Sequence, residues 1–169
     1  ILFASGVGVS ASYVDSSALL ERKLASEVVV ALESTEVMWN DYRKANRVRT
    51  AVCDVPDPEG GCLEHKVETT DEGILPASSW RGALSPDYGF IPSLPEQYQL
   101  DYAKPAADEA YLCVTMHASP VTVEVAQRAI DSLAVDQAFA HSSCGASTTS
   151  GTLTESDEVK LTYWLKKTS

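Results

Sequence analysis

Hydrophobic and polar positions fall into two regimes along the chain, and the first is helical. From Tyr13 to about Asn46 there is no Gly or Pro, and apolar side chains return at steps of four and three: Leu20, Leu24, Val28, Ala31, Thr35, Met38 and Tyr42, widened by Leu32 and Trp39. Arg22, Ser26, Glu33, Glu36, Asn40 and Lys44 fill the opposite side, interrupted by Val29. The spacing predicts one long amphipathic helix. Ahead of it, Ile1 to Ala11 is uncharged and mostly apolar, too short for the roughly 20 residues that span a bilayer. Two readings stand side by side: the distal part of a membrane or signal segment, or a buried strand or core segment. If it continues the helix, the rod approaches about 45 residues and about 65 Å at the α-helical rise. Part of such a rod has to lie in a membrane or against another subunit.

Downstream the texture changes. Residues 54 to 96 hold six of the eight prolines together with Gly60, Gly61, Gly73, Gly82 and Gly89, which predicts a long looping segment. Ile74-Leu75 and Phe90-Ile91 are its expected apolar anchors, with Trp80 as the large residue that pins it to a sheet. Strand signals follow. Tyr98, Leu100 and Tyr102 alternate with polar neighbours, Ala110 to Met116 reads as a more buried strand, and Val159, Leu161, Tyr163 and Leu165 alternate with Lys160, Thr162, Trp164 and Lys166. Between them a second amphipathic helix is predicted from Ser119-Pro120 to about Ala140, with Val125, Ala126, Ala129, Ile130 and Leu133 on its apolar face. Thr122 competes with Ser119 as its cap. The Ser/Thr-rich stretch from Ser142 to Ser156 reads as a loop. The expected fold class is α+β: a long N-terminal helix packed on a small antiparallel sheet, with the second helix inside a C-terminal disulfide-bounded region. The division follows as a helical part, residues 1–46, and a globular head, residues 47–169.

Charge narrows the partners. Thirteen Lys and Arg oppose 24 Asp and Glu for a net charge of -11, so nucleic acid is not an expected partner without a concentrated basic face. The basic runs are short: Arg22-Lys23, Arg43 to Arg49, and Lys166-Lys167. Four cysteines allow three connectivities. The sequential pairing, Cys53 with Cys62 and Cys113 with Cys144, is simplest because the eight residues between the first two are rich in turn-forming Pro and Gly. Two disulfides would place the chain in an oxidising, extracytoplasmic compartment. Four free thiols are the alternative. Zinc enters the argument because His65 follows Cys62 and His141 precedes Cys144 by three positions, but the repeated two-ligand spacing of structural zinc sites is missing.

Catalytic signals are sparse. His65, His117 and His141 make a serine triad arithmetically possible, yet no serine sits in a G-x-S-x-G elbow. Gly6 and Gly8 lack the rest of a dinucleotide fingerprint. The acidic pairs Asp57/Glu59, Asp71/Glu72 and Asp157/Glu158 lack an EF-hand pattern. The aromatics Tyr98, Tyr102, Tyr163 and Trp164 read as sheet packing rather than a sugar platform. The expectation is therefore a protein that is not an enzyme, with no cofactor and no metal. A secreted or periplasmic ligand-binding domain and an extracytoplasmic hydrolase are the rival readings.

The order of an apolar start, one long amphipathic helix, a looping region, an antiparallel sheet, and a late cysteine pair enclosing a helix before a final strand resembles type IV pilins and pilin-like minor subunits, the type IVb class above all. The helix from Tyr13 to Asn46 and the bracket Cys113 to Cys144 carry that resemblance. It implies a structural or assembly subunit of a bacterial surface filament, held first in the inner membrane by its N-terminal segment and then in the filament by other pilus subunits or assembly proteins. The helix face it would use for assembly is Leu20, Leu24, Val28, Ala31, Met38 and Tyr42. The family's processing site and the acidic residue near the start of the mature helix are not present in Ile1 to Ala11.

Overall fold

A single α-helix, α1 (Leu2–Ala45), opens the chain. The computed structural model describes the backbone of residues 2–71 and 73–168, and the side chains of residues 17–69, 73–154 and 156–168. The side chains of the apolar segment Ile1 to Ala11 lie outside the described residues; the backbone of residues 2–11 is helical and not a strand. The helix stops where its sequence provides a stop. Asn46 donates both its backbone N–H (3.0 Å) and its side-chain Nδ2 (2.8 Å) to the carbonyl of Tyr42, and Arg43 and Lys44 in the last turn complement the negative end of the helix dipole. Ala25, Val28, Ala31, Leu32, Thr35, Met38 and Trp39 are buried, so the three-four stripe is the buried one. Leu24 and Tyr42 are half-buried, and Leu20 departs from the stripe at 50% exposed.

Two compact units share this helix: one takes in Ile1–Ser34 and Pro92–Ser169, the other Thr35–Ile91. In the second unit the expected loop is corrected at its start. Val48–Pro56 (β1) and Cys62–Asp71 (β2) form an antiparallel two-stranded sheet, closed by the Cys53–Cys62 disulfide. Its turn uses Gly60 and Gly61, both at positive φ, and an Asp57 side chain that accepts from the Glu59 N–H at 2.9 Å. The pair was hidden because nearly every residue of β1 is exposed; with neither face covered, no hydrophobic alternation is imposed on the sequence. Beyond it, Gly73 donates to the Arg43 carbonyl at 3.2 Å, and a Cβ at this position would lie 2.6 Å from Asn46 Cβ. A short helix, α2 (Trp80–Leu84), then buries Trp80 and Leu84. The expected anchors divide: Leu75 is buried, whereas Ile74 and Phe90 are exposed. Tyr88 meets Tyr42 edge-on at 5.4 Å.

In the first unit, β3 (Gln99–Ala106), β4 (Glu109–His117), β5 (Ala138–His141) and β6 (Glu158–Lys166) make an antiparallel sheet in the order β3-β4-β6-β5. Its front face, with Leu100, Tyr102, Leu112, Val114, Met116, Val159, Leu161 and Tyr163, is buried with the helical stripe Ala25 to Leu32. The second helix, α3 (Pro120–Ser132), lies between Cys113 and Cys144 as expected but ends eight residues before Ala140. Leu133 leaves the helix in an extended conformation, with no Gly or Pro to mark the break, and Asp136, at φ 64°, then turns the chain in the left-handed region before β5. Its opening reconciles the two cap candidates: the Ser119 side chain accepts from the Thr122 N–H while Thr122 Oγ1 accepts from the Ser119 N–H.

Candidate functional site

The disulfide-bounded region is built on the back of the sheet. In the β4–β6 register Tyr111 faces Trp164 and Cys113 faces Thr162, so these four side chains share a face. The sequence alternation reads that face as polar. Thr162 and Trp164 are nonetheless buried, because the stretch after Cys144 folds back over them. The Cys113–Cys144 disulfide pins its start. Gly145 donates its N–H to Thr162 Oγ1 at 2.9 Å, and Trp164 donates Nε1–H to the Ala146 carbonyl at 3.0 Å. Gly145 has φ +85°, and a Cβ there would meet the Tyr111 ring at 3.3 Å, so the close approach favours glycine. Further along, Thr149 Oγ1 accepts from the Ala140 N–H and Ser150 donates to the Ala140 carbonyl. Those bonds occupy the open edge of β5. The Ser142–Ser156 loop is thus a fixed cover on the sheet rather than a solvated connection.

Beside that cover lies a groove of about 600 Å³, with Leu133, Ala134, Val135 and Phe139 as its apolar lining, Asp131 and Asp136 as its charges, and Ser147 to Thr149 on the far side. Val135 is 90% exposed there. Lys167 lies over the rings of Phe139 and Trp164 at 5.2 and 5.6 Å. A second groove, about 420 Å³, runs between α1 and α3 past Arg22, Val29, Val30 and Arg128. Arg128 lies 3.1 Å from Glu124 and 3.8 Å from Glu21. Its Nε is near enough to Glu124 for an ion pair but outside hydrogen-bond geometry. A third, polar recess of about 630 Å³ brings together His117, Ser142, Ser156, Asp157 and Glu158.

These recesses place the sequence candidates. Ser142 Oγ is 3.2 Å from His141 Nδ1, but the two are chain neighbours, and His65 belongs to the other unit. Cys62 and Cys144 are both in disulfides, so neither the Cys62/His65 pair nor the His141/Cys144 pair offers a thiolate. Among the described residues no group of three or more His, Cys, Asp or Glu is arranged to hold a metal ion. Burial, and then the nearby Glu27 carboxylate, raise the Tyr98 phenol above its ordinary value. Of the helix face expected for assembly, Val28, Ala31 and Met38 are buried within the chain itself, while Leu24 and Tyr42 are half-buried and Leu20 is exposed. Among the described residues of α1, the large apolar side chains left exposed are Leu19, Leu20, Val30 and Val37. Sequence reasoning missed the hairpin face and the Val135 groove; the signal for the groove is the short apolar run Leu133 to Val135 between the acids Asp131 and Asp136.

Both disulfides point to an oxidising, extracytoplasmic environment. Among the described residues no helix is long and apolar enough to cross a membrane. No protein-family model matches the chain, and neither a curated protein nor a solved structure matches it.

Proposed function

We propose that this protein is a structural or assembly subunit of a bacterial surface filament, similar in plan to type IV pilins, that works by packing against other subunits and presenting its disulfide-bounded region. The observation that carries this reading is the length of α1 against the extent of its burial. The helix runs for 44 residues, yet the described stripe becomes buried only from Ala25 onward, and Leu19 and Leu20 project exposed before it. Exposed leucines on a helix that continues into an uncharged apolar sequence call for a partner, and an inner membrane followed by the helices of neighbouring subunits supplies one in sequence. The acidic folded part suits a solvent-facing role, and the two bridges suit its survival outside the cytoplasm.

The test is to express the protein in its natural gene context with a C-terminal tag, shear the cell surface and locate the tag. Recovery in sheared filaments, with an unassembled pool in the inner-membrane fraction, is the expected result. A freely soluble periplasmic monomer would sink the reading.

A further inference from the structure

The β1–β2 hairpin has two unlike faces. Over its regular register Thr50 pairs with Glu68 and Val52 with Lys66 on one side, and Lys66 also bridges Asp54 (3.3 Å) and Glu68 (3.0 Å). Arg49 pairs with Thr69, Ala51 with Val67, and Cys53 with His65 on the other. That second face carries no carboxylate across these pairs, and Val67 on it is 68% exposed. At its base Lys44 and Arg47 are exposed too. Four of the chain's 13 basic residues fall between Arg43 and Arg49. A hairpin uncovered on both sides is marginal by itself, and an apolar, cationic face is an exception in a chain of net charge -11.

The groove beside Val135 has the opposite character. The charged residues among its described lining, Asp131 and Asp136, are both exposed and acidic, while Lys167 meets that lining at the Phe139 ring, 5.2 Å away. Its apolar floor is open, with Val135 turned out just before the left-handed Asp136. The occupant that fits is an apolar projection beside a cation, which is what Val67 with Arg49 on the same face provides, with Arg47 exposed just ahead of the strand. We infer that the Val135 groove of one copy receives the Arg49–Val67 face of the hairpin of a second copy. This deepens the filament reading and rests on it. The two patches differ, so the contact is heterologous: each copy uses a hairpin toward one neighbour and a groove toward the other, and the assembly extends as a row unless it closes into a ring. The charges fix register and speed encounter, and their contribution weakens as salt rises.

The experiment is sedimentation velocity of the full chain in detergent solution, at low and high salt over a concentration series. The wild type is expected to self-associate more weakly at high salt. R47E/R49E and D131R/D136N should each lose at least about tenfold in association, and a mixture of the two should recover it, because every contact in an alternating row again joins opposite charges. Asn accepts the left-handed backbone at position 136. R47Q/R49Q, which removes charge without reversing it, should fall between, and serves if the reversed chain does not fold. Unchanged association in the single variants, or no recovery on mixing, overturns the pairing. A wild type that stays monomeric yet is recovered in surface filaments also overturns it, assigns the hairpin a different protein as its occupant, and leaves the filament reading standing. Absence from filaments overturns the filament reading itself.

Discussion

Trp164 donates its indole N–H to the carbonyl of Ala146 at 3.0 Å, eighteen residues back along the chain, and stands edge-on to Tyr111 at 5.1 Å. One side chain thereby fastens the disulfide-bounded cover to β6 and completes the rear layer of the sheet. Trp164→Phe keeps most of the ring contact and loses the hydrogen bond, so it should cost about 1–2 kcal/mol. Trp164→Ala should cost about 3–5 kcal/mol. Thermal or urea unfolding of both variants checks the order; a Trp164→Phe variant as stable as the wild type would mean that the Ala146 bond contributes nothing.

The two disulfides should differ in what they hold. Cys113 and Cys144 are 31 positions apart, and in the chain-entropy model a loop of that length is worth about 4 kcal/mol. C113S/C144S should therefore lower the melting temperature of the sheet unit. Cys53 and Cys62, 9 positions apart, close an exposed hairpin. C53S/C62S should speed amide exchange across residues 48–71 while leaving protection in β4 and β6 unchanged. Hydrogen exchange read by mass spectrometry separates the two, and loss of protection in β4 on removing the hairpin bridge would contradict the assignment.

At the start of α3, Ser119→Ala removes one half of a reciprocal cap and should cost about 1 kcal/mol. Thr122→Val should cost more, about 2 kcal/mol, because the Thr122 hydroxyl also donates to the His117 carbonyl at 2.7 Å and its residue is buried. Denaturant midpoints compare the two directly.

Much of the frame was legible in the sequence, and the failures share a cause. The α1 stripe, the three long strands of the sheet and the sequential cysteine pairing all follow from spacing, because each is tied to a buried face or a short turn. The β1–β2 hairpin buries neither face and leaves no such pattern; Val52, Lys66 and Glu68 look like loop residues. α3 ends where Leu133 takes an extended backbone, ahead of the reversal at Asp136, and the sequence announces neither. Trp164 did carry a signal: a large aromatic at an outward position of β6 indicates that the outward face is covered. The groove became visible only when α3 ended early and turned Val135 out.

Alkaline pH should expose Tyr98. Burial first, and the Glu27 carboxylate second, raise its phenol pKa in the folded state, so the native protein holds that proton at pH values where the unfolded chain has released it. Stability tied to this group is full below the ordinary phenol value of about 10 and declines as pH rises through the folded value. Tyr98→Phe should flatten part of that decline without altering the curve near neutrality. Unfolding measured across the alkaline range tests it, and an identical slope in the variant would remove Tyr98 as the cause.

The two bridges also differ in how a reducing molecule meets them. Cys113 is buried in β4, whereas Cys53 is exposed on the hairpin. Exchange needs the attacking thiolate to reach a sulfur, so mild reduction opens the hairpin bridge first and the sheet bridge last. The molecule accordingly has a built-in sequence of failure, in which the outermost element loosens and becomes open to proteases while the covered sheet behind Trp164 stays intact.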